Sequence, residues 1–134
     1  MIGRELALYR MVSAEELKNL VSELGGRWHV GEGGCCQGVL DDAGALVWPY
    51  PPYPIDRFPC EPEHLAIIAD HATSELVSVL EIGVSHNEGS QELASRVIEI
   101  MLGRWGGIEI DEEWFCTPED ADWLARWDEA RLGL

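Results

Sequence analysis

The sequence predicts an α+β fold. It reads as one domain over residues 1–134, with a single, mostly antiparallel sheet of about four to six strands and about four helices chiefly on one face. Three observations lead there. Leu76, Val77, Val79, Leu80, Ile82 and Val84 make an apolar, β-branched run that suits a strand buried on both faces. Segments 14–24 and 91–102 instead repeat their apolar residues at helical spacing. The two patterns are mixed along the chain, with a helix between the central strand and the next, and no internal repeat organises them.

In chain order, residues 4–12 alternate loosely through Leu6, Leu8 and Tyr9, which predicts an opening strand, with an early helical turn as the alternative. Ser13 and Glu16 have the spacing of a capping box, and Leu17, Leu20, Val21 and Leu24 follow at helical spacing up to the Gly25-Gly26 stop, so a helix spans 14–24. Residues 28–30 begin a strand. Residues 35–40 and 45–48 read as a hairpin turning at Asp41-Asp42-Ala43-Gly44.

Six of the seven prolines fall between Pro49 and Pro62, interleaved with Tyr50, Tyr53 and Phe58. Such density forbids regular helix or central strand and predicts a long, stiff loop, either packed on the core or forming a ligand groove. Pro62 opens a helix to about His71, with Leu65, Ile68 and Ala69 on one face. Segment 75–85 is the expected centre of the sheet. Residues 87–90 supply turn and cap chemistry for a helix over 91–102, whose stripe is Leu93, Ala94, Val97, Ile98 and Met101. Gly103, Gly106 and Gly107 end that helix, and 108–110 returns as a short strand. Thr117-Pro118-Glu119-Asp120 then starts a final helix to about Arg131, with Trp123 and Trp127 four apart on one face. Val77, Val79, Leu80, Ile82, Leu93, Val97 and Ile98 are the expected middle of the core.

Charge narrows the function. Nine Lys and Arg stand against 25 Asp and Glu, a formal net charge of −16, which repels phosphate backbones and anionic lipid surfaces. Neither nucleic acid nor a membrane is expected as a partner. No apolar run approaches the ~18 residues of a membrane span, and the N-terminus has no signal-peptide pattern, so a cytoplasmic protein is expected. The adjacent Cys35 and Cys36 and the isolated Cys60 and Cys116 fit neither a disulfide framework nor a CxxC pair, which leaves reduced thiols.

Catalytic and metal chemistry find no motif. His64 and His71 lie seven apart, two helical turns, too far to chelate one ion, and side chains at Cys35 and Cys36 would point to opposite faces of a strand. Cys60 and Cys116 sit in no nucleophile motif with His29, His64, His71 or His86. Gly31-Glu32-Gly33-Gly34 lacks the Lys and Ser/Thr of a phosphate loop. No catalytic residue, metal or cofactor is therefore expected.

Binding is another matter. Between Glu109 and Glu129 nine carboxylates accompany a single cation, Arg126, with Trp114, Trp123 and Trp127 among them. A field of one sign with aromatic anchors steers and holds a basic partner. The candidate contact residues are Asp111, Glu112, Glu113, Trp114, Glu119, Asp120 and Asp122, joined by Tyr50 and Tyr53 of the proline-rich loop. The plainer alternative is a solvated, acidic start to a helix.

The strand over 76–85, the Gly89-Ser90 lead into a helix with Leu93-Ala94, and the return Arg104-Trp105-Gly106-Gly107-Ile108 resemble small acidic bacterial immunity proteins of polymorphic-toxin, contact-dependent and type VI secretion systems. The resemblance covers about 35 residues and implies a non-enzymatic, cytosolic inhibitor that binds one toxin domain. The expected partner is thus a cognate toxin or another basic protein. The competing expectations are a small-molecule-binding domain or small enzyme with the 49–62 loop as a pocket wall, and a housekeeping interaction subunit.

Overall fold

The structure, a computed structural model, describes residues 2–115. The expected helix from Thr117, with Trp123 and Trp127, lies outside them. Strand β1 (Ile2–Leu8) leads to helix α1 (Ala14–Glu23). Its capping box is reciprocal: the Glu16 N–H donates to Ser13 Oγ at 3.1 Å and the Ser13 N–H to the Glu16 carboxylate at 3.2 Å. The helix closes with a Schellman pair, in which the Gly26 N–H bonds the Val21 carbonyl and the Gly25 N–H that of Ser22.

Strands β2 (Arg27–Val30), β3 (Cys36–Asp42) and β4 (Ala45–Pro49) form a meander. The β3–β4 turn is shorter than expected: Asp42 pairs with Ala45, so only Ala43 (φ 53°) and Gly44 (φ 96°) turn, the two positive angles that match a hairpin's twist. Asp41 and Asp42 belong to the strand.

The proline-rich segment departs from expectation in holding a two-residue strand, β5 (Tyr53–Pro54). Its physical reason is visible in the ladder. The backbone N–H of Tyr50 still reaches the carbonyl of Glu81, Pro51 and Pro52 have no N–H to offer, and pairing resumes at Tyr53 opposite Val79. Helix α2 (Pro62–Asp70) follows with proline in its first turn. Ile68 is its buried residue, whereas Ala69, expected on the same face, is exposed.

Strand β6 (Ser78–Val84) is central as expected, flanked by β4 and β1 in a seven-stranded, antiparallel sheet of order β2-β3-β4-β6-β1-β7, with β5 also on β6. That exceeds the expected four to six strands, the difference being the fragment within the proline-rich segment. Helix α3 (Ser90–Trp105) is longer than 91–102 and passes through Gly103, because Trp105 is buried and holds the last turn on the core. Its N-cap, Gly89, makes no side-chain cap bond; Ser90 Oγ instead accepts the Leu46 N–H. Strand β7 (Gly107–Glu109) completes the sheet beside β1. The described residues contain three α-helices.

Alternation sorts the two faces. Leu6, Leu8, Leu80, Ile82 and Val84 pack with Leu17, Leu20, Val21, Leu93, Val97, Ile98 and Met101 in one large core under α1 and α3. All the expected core residues are buried except Val77, which is half-buried. Ala7 points the other way and packs with Ile68 and Ile110, around which Ile55, Phe58, Trp114 and Phe115 gather. Two helices thus cover one face. Helix α2 and a 3-10 turn, Glu112–Phe115, cover part of the other.

Candidate binding face

The second face carries the acidic residues. Its floor is set by register: β1 and β6 pair so that Glu5 lies directly opposite Glu81 and Gly3 opposite Gly83. Both glutamates are half-buried, and Glu81 is the single charge in a strand whose other residues are buried. Tyr53 stands beside them because β5 pairs with β6 two positions along; its phenol donates to Glu81 Oε1 at 2.7 Å. Tyr50, half-buried, lines a cleft of about 140 Å³ together with Gly3, Arg4, Glu5, Glu81, Ile82 and Gly83.

Electrostatics follow from this crowding. Burial pushes the Glu5 carboxyl above its ordinary pKa, and the nearby charges of Glu81 and Glu112 push it further. The Tyr53 phenol is raised too, first by burial, then by its hydrogen bond to Glu81 and by the surrounding negative charge. Cys60 is raised by burial and by Glu5. The ion pairs Arg4–Glu109, Arg10–Glu16, Arg96–Asp42 and Arg104–Glu23 leave out Glu5, Glu81, Asp111 and Glu113.

The acidic turn adjoins this cleft. Asp111, Glu112 and Glu113 are exposed. Asp111 shapes the turn, its Oδ1 accepting the Glu113 N–H at 2.9 Å and its carbonyl the Trp114 N–H at 3.1 Å. Trp114 is half-buried rather than free, its indole stacked on His71 with ring centroids 3.8 Å apart and planes 6° from parallel. Phe115 stacks in turn on His64 at 4.6 Å. Glu109, counted with the acidic segment, faces the other side of the sheet, where Arg4 holds it through bonds of 3.0 and 2.9 Å.

Of the expected contact residues, then, the structure brings Glu112, Tyr50 and Tyr53 to one cluster and sets Asp111, Glu113 and Trp114 beside it. Glu119, Asp120 and Asp122 lie outside the described residues. Sequence reasoning missed Glu5 and Glu81, which join the two groups. The available signal was Glu81 itself, a carboxylate interrupting the most apolar run in the chain. Among the described residues no group of three or more His, Cys, Asp or Glu is placed to hold a metal ion, and no helix is long and apolar enough to cross a membrane. No protein-family model matches the chain, and searches of curated proteins and of solved structures return no match.

Proposed function

We propose that this chain is a non-enzymatic, immunity-type protein that binds and neutralises a basic protein toxin through the second face of its sheet. One observation carries the reading. Glu5 and Glu81 are set opposite each other in a cleft lined by Tyr50, outside the ion pairs that Arg4, Arg10, Arg96 and Arg104 make, and an exposed acidic turn stands beside them. Like charges placed directly opposite on a sheet destabilise it, and a cationic side chain from a partner relieves that repulsion. Asp111 and Glu113, being exposed, contribute to steering rather than to tight contact, since rim charges act mainly on association rate. An inhibitor of a nuclease or similar toxin would set these carboxylates where substrate phosphates bind.

The alternative, a small-molecule site walled by the proline-rich segment, draws on the presence of Tyr50 in the cleft. The 140 Å³ cleft over Glu5 and Glu81 suits one side chain better than a whole metabolite, whereas the concavity of about 300 Å³ beside Pro54, Ile55 and Asp56 has the size of a small ligand pocket.

The test is copurification from the native host, identification of the bound protein, and measurement of its association kinetics against Asp111→Lys and Glu113→Lys, alone and combined with Asp122→Lys. A basic partner whose association slows with reversal and with added salt supports the proposal. Binding indifferent to both removes it.

A further inference from the structure

The acidic turn is too short to place itself. Glu112–Phe115 is a 3-10 segment of only four residues, and such short pieces persist only where tertiary contacts hold them. Its internal geometry comes from Asp111, through bonds to the N–H groups of Glu113 and Trp114. Neither bond decides where the turn sits on the protein. The main-chain tether ends one residue earlier, where the Ile110 N–H bonds the Glu5 carbonyl.

Beyond that point two ring stacks connect the turn to α2. His64 lies in the first turn of α2 and His71 caps its C-terminus, so they share one side of the helix about 10 Å apart along the axis. Trp114 and Phe115, adjacent in a tight turn, diverge and reach both of them: Trp114 lies flat on His71 at 3.8 Å and Phe115 on His64 at 4.6 Å, inclined by 27°. Two contacts spaced along a rigid helix constrain rotation as well as translation, which one contact does not. The Ile68 side chain, buried between the ends of this clasp, adds apolar contact with no directional preference.

We propose that His64 and His71 are positioning residues for the binding face: by stacking on Phe115 and Trp114 they fix the direction in which Asp111, Glu112 and Glu113 present their carboxylates. This rests on the function proposed above, although the clasp itself can be measured without any partner. Histidine suits the task because its flat ring stacks as phenylalanine does while tolerating the water around half-buried His64 and exposed His71.

The experiment uses the full chain and two readouts. Amide hydrogen exchange reports the clasp at the Trp114 N–H, with the N–H groups of Leu80 and Ile82 in β6 as internal controls. Titration with an octa-arginine peptide, followed by NMR shifts at residues 111–114, reports presentation of the acids. In the His64→Ala/His71→Ala variant, exchange at Trp114 should accelerate about tenfold or more and peptide affinity should fall several-fold, while the β6 amides keep their protection. The His64→Phe/His71→Phe variant should restore both, because the stacks survive without the imidazoles. If the double alanine variant does not fold, His71→Ala alone carries the same expectation at about threefold.

Unchanged exchange at Trp114 in the alanine variants overturns the clasp. Faster exchange with unaltered peptide affinity and unaltered shifts overturns its role in presenting the acids. Parent protein that does not bind the peptide at residues 111–114 refutes the proposed face itself, and exchange alone then decides whether the clasp exists.

Discussion

Glu5 and Glu81 occupy directly opposed positions on β1 and β6 and point to the same face of the sheet, with the Tyr53 phenol bonded to the second of them. The pair makes an asymmetric arrangement. Glu81 accepts a hydrogen bond from the Tyr53 phenol, whereas burial and two neighbouring carboxylates hold the Glu5 carboxyl above its ordinary value.

A pH dependence follows. In the unfolded chain Glu5 ionises near its ordinary value of 4.5, and in the folded protein it keeps its proton to higher pH. The native state therefore binds more protons across that window, and stability falls as pH rises from 4.5 through the raised value. Glu5→Gln should flatten this part of the profile and raise stability at neutral pH by about 0.5–1 kcal/mol. Urea melts from pH 4 to 8, compared with the parent, check both; a variant that tracks the parent at every pH counts against the opposed pair.

Tyr53→Phe removes the donor to Glu81 and leaves a half-buried carboxylate less satisfied. The expected cost is about 1–2 kcal/mol at neutral pH, read from denaturant midpoints. Because burial and Glu81 hold the phenol's proton above the ordinary value of 10.0, the parent should lose stability as pH rises through 10, and the phenylalanine variant should lack that contribution. Ultraviolet titration of the tyrosines should show the highest-pH ionisation disappear in the variant.

Gly107→Ala should be severe. The position has φ of 150°, and a Cβ there would come within 2.3 Å of the Ala7 carbonyl oxygen and 2.9 Å of Leu8 Cα, both backbone atoms that cannot turn aside. Strain of about 1–3 kcal/mol is expected even before β7 shifts away from β1. Loss of exchange protection in 107–110 ahead of β6 would locate the damage, and a variant as stable as the parent would show that β7 is not packed as described.

Leu80→Ala and Ile98→Ala should each cost about 2–5 kcal/mol, since Leu80 is wholly buried and Ile98 nearly so within one core. Thermal and chemical melts measure this directly. Parental melts from both variants would place the sheet's centre elsewhere.

Local chemistry made much of this architecture legible. Ser13 and Glu16 announced α1, Asp41 to Gly44 announced a hairpin, and the β-branched run announced the central strand, because each depends on residues a few positions apart. The binding face depends on distant ones. Tyr53 meets Glu81 across 28 positions, and Glu5 meets Glu81 only through the β1–β6 register, which packing of the whole sheet decides. Strand β5 was hidden for a related reason: prolines rule out a continuous strand, but Tyr53 and Pro54 still pair with Val79 and Ser78, where β6 runs on past its pairing with β4. The stacking of His64 and His71 on Phe115 and Trp114 was half visible, in the seven-residue spacing of the histidines, and its aromatic partners were not.

The place of β1 in the sheet has a consequence for how the molecule comes into being. Its partners are β6, about seventy residues or more downstream, and β7, later still, so its ladder closes only across long stretches of chain. The meander of β2, β3 and β4 can assemble early from contacts close in the chain, whereas insertion of β1 must await synthesis of both its neighbours and closure of long loops. Until then the hydrogen-bonding groups of β1 lack their ladder, and of the core only α1, close by in sequence, can pack on Leu6 and Leu8.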